Sequence, residues 1–241
     1  MNERVVSLTN DQLYEEALRW KLKQMKRPSV WKRTSKQIQT KINQRIPEKF
    51  HEVVTQSVQT MVNATVKGNE YLPKKSYPHF LHLAEKEAEL MRVMKRYQKT
   101  AALEGVGTGA GGLWLGLADF PLLLGIKMRF LFEAASLYGY DMTRVEERFF
   151  ILKVFQLAFS YDERKEELIE QIESWDLKPV EQEIDWRSWQ QEYRDHIDLV
   201  KMMQIIPGVG AVVGGVANYH LMKHLAEYTM YAYRLRILPN E

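Results

Sequence analysis

Twelve of the 13 glycines in this chain fall in two windows, residues 105–139 and 208–215. Both windows are poor in charge. Gly105–Ile126 carries Asp119 alone, and Met202–Met222 carries no Asp, Glu, Lys or Arg. In water each glycine costs a helix up to about 1 kcal/mol relative to alanine. A chain that concentrates glycine among Leu, Val, Ala, Trp and Phe must therefore recover that cost through close contact.

Three rival readings of the first window can be weighed. Gly107-x-Gly109-x-x-Gly112 spells a dinucleotide fingerprint, which works only between a strand and a helix. The preceding "MRVMKRYQKTAALE" has helical character, and no Gly-Lys-Ser/Thr exists in the chain. A slack linker would be rich in serine as well as glycine, and Gly105–Gly125 has no serine. Helix-on-helix packing fits better. Gly105/Gly109, Gly107/Gly111, Gly112/Gly116 and Gly210/Gly214 are each four apart, the spacing at which small residues let helix backbones approach.

As one helix, residues 105–126 would span about 33 Å, enough for a bilayer core of about 30 Å. A mid-membrane Asp119 would cost about 2.5–3.5 kcal/mol, however. Pro121 suits the first turn of a new helix, with Asp119 as its cap. The expectation is a broken unit: a short glycine helix ending near Leu117, a turn at Asp119–Pro121, and a helix to about Tyr138. On that helix Arg129 and Glu133 are spaced to pair.

Elsewhere the periodicity is helical and no alternating strand is convincing, so the fold class is all-α, a multi-helix bundle with two Gly-rich apolar hairpin segments. Helices are expected over "DQLYEEALRWKLKQM", around 32–45, over "PEKFHEVVTQSVQTMVNATVKG" closed by Gly68, over "HFLHLAEKEAELMRVMKRYQKTAALEG", after Pro179, and over "VVGGVANYHLMKHLAEYTMYAYRLRIL". Thr143-x-x-Glu146 and Ser160-x-x-Glu163 read as capping boxes. Residues 1–85 form basic amphipathic helices and 86–241 the main helical domain, the two making one compact unit.

The net charge of +3 hides a dipolar layout. Residues 19–49 carry eleven Lys or Arg against Glu48, and residues 162–198 carry thirteen acids against five bases. Arg19, Lys21, Lys23, Lys26, Arg27, Lys32, Arg33 and Lys36 are candidates for contact with an anionic membrane surface. Their alternative is a solvated face, or docking on the acidic segment of the same chain. Trp20, Trp31 and Trp114 suit a membrane–water boundary, though a core position is equally open to them.

Signals for catalysis are sparse. With no cysteine, thiol nucleophiles and Cys-ligated metal sites are excluded. His220, His224 and Glu227 recur at i, i+4 and i+7 on one helix face and are the candidate metal ligands. They lack the rest of a zinc signature, as does the pair His79 and His82. No serine sits in a nucleophile elbow. The reading is non-enzymatic, with no cofactor and no nucleic-acid partner.

"GAGGLWLGLADFPLLLGIKMRFLFEAASLYGYD" and "IIPGVGAVVGGVANYHLMKHLAEYTMYAYRLRIL" together resemble the EcsC family. The resemblance runs from about Lys86 to Leu238, and the basic N-terminal third does not carry it. The matching positions are Asp119, Pro121, Gly139, Asp141, Pro207, Gly208, Gly210 and Asn218, for which the family implies no catalytic role. Asp119 and Asn218 each place a polar side chain in an apolar window. The family takes its name from a bacterial locus that also encodes the two parts of an ABC transporter. The resemblance therefore implies an accessory of a membrane transport or secretion system, peripheral on the cytoplasmic face, with transporter subunits as partners. The competing readings are a soluble bundle holding an apolar ligand such as a lipid, and a metal-dependent hydrolase.

Overall fold

The structure is a computed structural model, and it describes residues 8–25, 48–68, 71–73, 77, 81–109, 120–160, 164–177 and 211–240. Among them are seven α-helices and no β-strand: α1 (Asn10–Met25), α2 (Glu48–Lys67), α3 (Leu83–Gly109), α4 (Phe120–Tyr138), α5 (Val145–Phe159), α6 (Lys165–Glu173) and α7 (Ala211–Ile237). The expected helix at 32–45 and the one following Pro179 fall outside the described residues, as do Asp119, Gly111, Gly112, Gly116, Pro207, Gly208 and Gly210.

Local sequence explains most boundaries. Thr9 and Gln12 form a capping box at α1: the Thr9 N–H donates to Gln12 Oε1 at 3.1 Å and the Gln12 N–H to Thr9 Oγ1 at 3.4 Å. At α3 the His82 N–H donates to Glu85 Oε2 at 2.9 Å. Pro121 occupies the first turn of α4, where its missing N–H costs nothing. Gly68 closes α2 at φ +79°, beneath the Arg148 side chain.

The capping box expected at Thr143 is absent, and the one expected at Ser160 involves Glu163, which lies outside the described residues. The residue before α5 is Arg144, which makes no side-chain cap. Thr143 instead donates its N–H and Oγ1–H to Asp141 Oδ1, at 2.9 and 2.8 Å. Ser160, at the end of α5, donates its Oγ–H to the Gln156 carbonyl at 2.6 Å. A short polar side chain bonds whichever group lies nearest, here the Asp141 carboxylate for Thr143 and a carbonyl of the preceding turn for Ser160.

The Tyr138–Asp141 stretch has a complete backbone account. Gly139 sits at φ +99°; its N–H donates to Ser136 O at 3.1 Å and the Tyr140 N–H to Ala135 O at 3.0 Å. That is a Schellman C-cap, which needs a left-handed residue. Gly139→Ala should therefore lower stability by about 1–2 kcal/mol in urea unfolding. An unchanged midpoint would show the turn to be dispensable.

α4 and α5 are apolar on nearly every face, as "FPLLLGIKMRFLFEAASLY" and "VEERFFILKVFQLAF" announce, and both are almost wholly buried. α3 and α7 form the most extensive helix pair. They run antiparallel, Glu87 beside Arg234 and Gln98 beside Tyr219. α4 runs antiparallel to α3 in turn, Glu133 beside Arg96 and Tyr138 beside Lys86. Its first turns meet the far half of α3, where Leu123 and Ile126 cluster with Ala101. One hydrophobic core reaches from Leu13 on α1 to Leu238.

The first glycine window differs from expectation in one respect. α3 is a single helix through Gly105 and Gly107 to Gly109, so the separate glycine helix expected from residue 105 onward begins as a continuation of the preceding one. In the second window the helix expected over "VVGGVANYHLMKHLAEYTMYAYRLRIL" is present as α7, which runs unbroken through Gly214 and Gly215 to Ile237; the stretch before Ala211 lies outside the described residues. No proline follows Gly214 within the helix, and glycine without one weakens a helix but does not stop it. Of the four glycine pairs, Gly105/Gly109 alone falls wholly among the described residues; Gly210/Gly214 has one member outside them. The bundle has two unlike ends. α3 finishes, and α4 and α7 start, at the end facing the glycine windows; the opposite end holds ion pairs.

Candidate functional site: a bundle with one bolted and one glycine-rich end

At the bolted end, two arginines near the C-terminus of α7 reach to opposite sides. Arg234 donates Nε and Nη2 to Glu87 on α3 at 2.6 and 2.7 Å, and Nη1 to Glu16 on α1 at 2.8 Å. Arg236 donates to Glu147 on α5 at 2.6 and 2.8 Å and to Asp176, in the turn after α6, at 2.9 and 2.6 Å. Its guanidinium lies 3.9 Å from the Tyr140 ring centroid and 4.3 Å from that of Phe150. These forked, desolvated pairs fix which helices meet.

The middle of the bundle holds a second cluster. Glu133, expected to pair with Arg129 on its own helix, accepts instead from Arg96 at 2.5 Å, from Tyr97 at 3.0 Å and from the Tyr77 hydroxyl. Burial alone would raise this carboxyl, but the three donors outweigh it and hold it below the usual range. Tyr77, buried and facing that carboxylate, is pushed far above an ordinary phenol. A carboxylate whose folded value is depressed adds stability above its unfolded value, and that stability fades as acid protonates it. Nothing in the cluster is poised to exchange protons near neutrality.

The basic helix face is only partly free. Lys21 forms a 2.5 Å pair with Glu173 on α6, within the acidic segment of the same chain, and Arg19 pairs with Glu15 at 2.8 Å. Lys23 is exposed, while Lys26, Arg27, Lys32, Arg33 and Lys36 lie outside the described residues. Trp20 is not at a boundary. It is buried, stacked on Tyr231 with centroids 4.8 Å apart and edge-on to Tyr228 at 5.0 Å. An indole gains more from burial against two rings than from an interface, and the flanking bases concealed this.

The helical histidines do not form a metal site. His224 Nε2 is 2.8 Å from the Ala158 carbonyl, and His220 and Glu227 are exposed. Among the described residues no group of three His, Asp or Glu is placed to hold a metal ion. The i, i+4, i+7 spacing put the three on one sector of the helix, but α5 claims its middle member.

The glycine-rich end presents a different chemistry. Leu103 near the end of α3, Leu122 near the start of α4 and Tyr219 near the start of α7 are 73%, 49% and 43% exposed. The same end of the bundle also holds buried polar groups with few partners. Asn218, one helical turn beyond Gly214, is fully buried, and neither its Oδ1 nor its Nδ2 has a partner. Gln98 donates Nε2 to the Tyr219 carbonyl at 3.2 Å, leaving Oε1 unpartnered. Lys127 is 3% exposed, and its ammonium reaches only the Leu123 carbonyl, at 3.5 Å. Burial lowers it to about 8. Asn218 was legible as a polar residue in an apolar window. Lys127 was missed because the charge-free stretch stops one residue short of it; a lysine inside "LLLGIKMRF" was the available signal.

The fold and this end define an all-helical protein with ion pairs at one pole and, at the other, exposed apolar side chains together with buried, under-partnered polar groups. The chain belongs to the EcsC protein family, whose model matches residues 11–238. The match includes α1, so the N-terminal helix is family structure rather than an appendage. The chain is 51% identical to "Protein EcsC" of Bacillus subtilis (strain 168) over 229 residues, covering 95% of this chain and 96% of that protein. It is 33% identical to "Uncharacterized protein YdbA" of the same organism over 147 residues, 59% of this chain and 54% of that protein. No solved structure matches the chain.

Proposed function

We propose that the protein is a non-enzymatic, membrane-surface protein that docks its glycine-rich end into an anionic bilayer face and serves a membrane transport or secretion system. The observation that carries this reading is the rim of exposed Leu103, Leu122 and Tyr219 around the end where three helices meet the glycine windows. α1 adds direction: Gln24 bonds Tyr228 at 2.7 Å while Glu16 meets Arg234. The chain therefore leaves α1 heading toward that same end, into a stretch where residues 26–36 hold five Lys or Arg. Insertion is shallow in this reading; among the described residues no helix is long and apolar enough to cross a membrane.

The magnitudes require both contributions. Burying the exposed parts of three side chains is worth about 4 kcal/mol, a millimolar affinity on its own. Five bases near an anionic surface add about 1 kcal/mol each. Together they reach micromolar binding that salt weakens. Flotation with vesicles of phosphatidylglycerol and phosphatidylcholine should recover the protein at low salt and less of it at high salt. Leu103→Glu/Leu122→Glu, at exposed sites that leave the core intact, should weaken recovery at least tenfold. A folded wild type that stays with the soluble fraction, or a variant that floats equally well, would refute the reading.

A further inference from the structure

The under-partnered groups at the glycine-rich end share one height in the bundle. Lys127, Leu131, Ala134 and Tyr138 recur along one stripe of α4, and Tyr138 stacks on Tyr233 of α7 with centroids 4.2 Å apart. α4 and α7 both run antiparallel to α3, so they are parallel to each other. The stacked pair sets an offset of 95 positions between them. Lys127 folds back along its helix to the Leu123 carbonyl, the usual lean of a helical side chain toward the N-terminus. At that offset the height of Leu123 is the height of Asn218. Gln98, bonded to the Tyr219 carbonyl, holds the same level from α3. Ammonium, amide and amide carbonyl thus fall within about one helical turn of each other along the bundle axis.

Such a set is costly as packing alone. A buried amide with neither partner and a buried ammonium on one long bond each disfavour the folded state. Their chemistry is complementary to a specific kind of ligand. Lys127 Nζ and Asn218 Nδ2 are donors suited to phosphate oxygens, and the ammonium supplies the charge. Asn218 Oδ1 and Gln98 Oε1 are acceptors, which a bare phosphate dianion would leave unused and which hydroxyl groups would satisfy.

We propose that Lys127, Asn218 and Gln98 form a binding site for a phosphate-ester anion carrying free hydroxyl groups, the headgroup chemistry of a phosphatidylglycerol-type lipid. The phosphate accepts from Lys127 and Asn218, and the hydroxyls donate to Asn218 and Gln98. A lipid source follows from the membrane reading above, because an acyl chain attached to that headgroup would emerge among Leu103, Leu122 and Tyr219. The headgroup chemistry itself stands on the three side chains.

Thermal unfolding in the presence of dioctanoyl phosphatidylglycerol, dioctanoyl phosphatidylcholine or glycerol 1-phosphate tests this, using the full chain without vesicles. Dioctanoyl phosphatidylglycerol at saturation should raise the wild-type melting temperature by about 5 °C, and phosphatidylcholine should not. A rise with glycerol 1-phosphate as well supports the headgroup chemistry from a soluble source; a rise with the lipid alone assigns it to a lipid. Asn218→Leu replaces an unpartnered amide with an apolar group of similar volume. It should melt no lower than wild type without ligand while losing the ligand-induced rise. Lys127→Met should behave likewise and carries the test if the leucine variant does not fold. Equal rises with phosphatidylcholine, no rise in wild type, or unchanged rises in both variants would overturn the proposal. Vesicle flotation separates the two readings: variants that float like wild type but show no rise keep the membrane role and confirm the site, whereas a wild type that responds to the soluble headgroup yet never floats keeps the site and removes the membrane role.

Discussion

Arg234→Met should cost about 3–5 kcal/mol of folding stability, the largest loss expected from any single substitution in this chain. Arg234 is 2% exposed and its principal partner, Glu87, is fully buried. Removing the guanidinium leaves a carboxylate sealed between α3 and α7 with nothing to neutralise it, and Glu16 on α1 loses its anchor at the same time. The loss is a penalty for the orphaned charge more than a measure of what the pair contributes. Arg234→Met/Glu87→Leu should accordingly recover most of it, since an apolar pair of similar volume avoids desolvating two ions. Urea unfolding of the single and double variants checks both statements. A single variant within about 1 kcal/mol of wild type would mean that the pair is not desolvated as it is here.

A second large effect should appear as a pH dependence. Burial lowers the Lys127 ammonium from 10.5 to about 8, so at neutral pH the folded protein carries a charge it would rather lose. Between the folded and unfolded values the unfolded chain binds the extra proton, and stability rises with pH. The gain from Lys127 should be about 2 kcal/mol between pH 7 and 9.5. Lys153, lowered to about 8 by burial, adds to the wild-type slope in the same direction. The test is therefore the difference from Lys127→Met, which should be more stable than wild type at pH 7 and close to it at pH 9.5. Parallel stability profiles for the two proteins would show Lys127 to be solvated.

What the sequence made legible was mainly local. Gly68 ends α2 and Pro121 begins α4, because left-handed backbone and a missing N–H have direct positional consequences. The end of α4 was legible at Tyr138 for the same reason, with Gly139 beyond it. Where the glycine helix begins was not legible: α3 runs without interruption through Gly105 and Gly107 to Gly109, so the first glycine window opens inside an existing helix. Partner choice was legible only in outline. Lys21 does bond Glu173 of the acidic segment, 152 positions away, whereas Glu133 has Arg129 at the right helical spacing yet bonds Arg96. Spacing reports neighbours on one helix, whereas burial selects partners across helices. The same limit hid the ionic pole, since nothing local in "RLRIL" indicates that both arginines are inside. Trp20 was obscured by its basic neighbours, which occupy other faces of the same helix.

In the proposed membrane role the glycine-rich pole, and not the ionic pole, faces the bilayer. The chain lacks cysteine, so single cysteines report cleanly. An environment-sensitive fluorophore placed at Leu103→Cys should shift to the blue when anionic vesicles are added, while the same probe at Leu177→Cys, exposed beside the ionic pole, should not move. A shift at Leu177 with none at Leu103, or no shift at either while the protein is bound, would contradict the account.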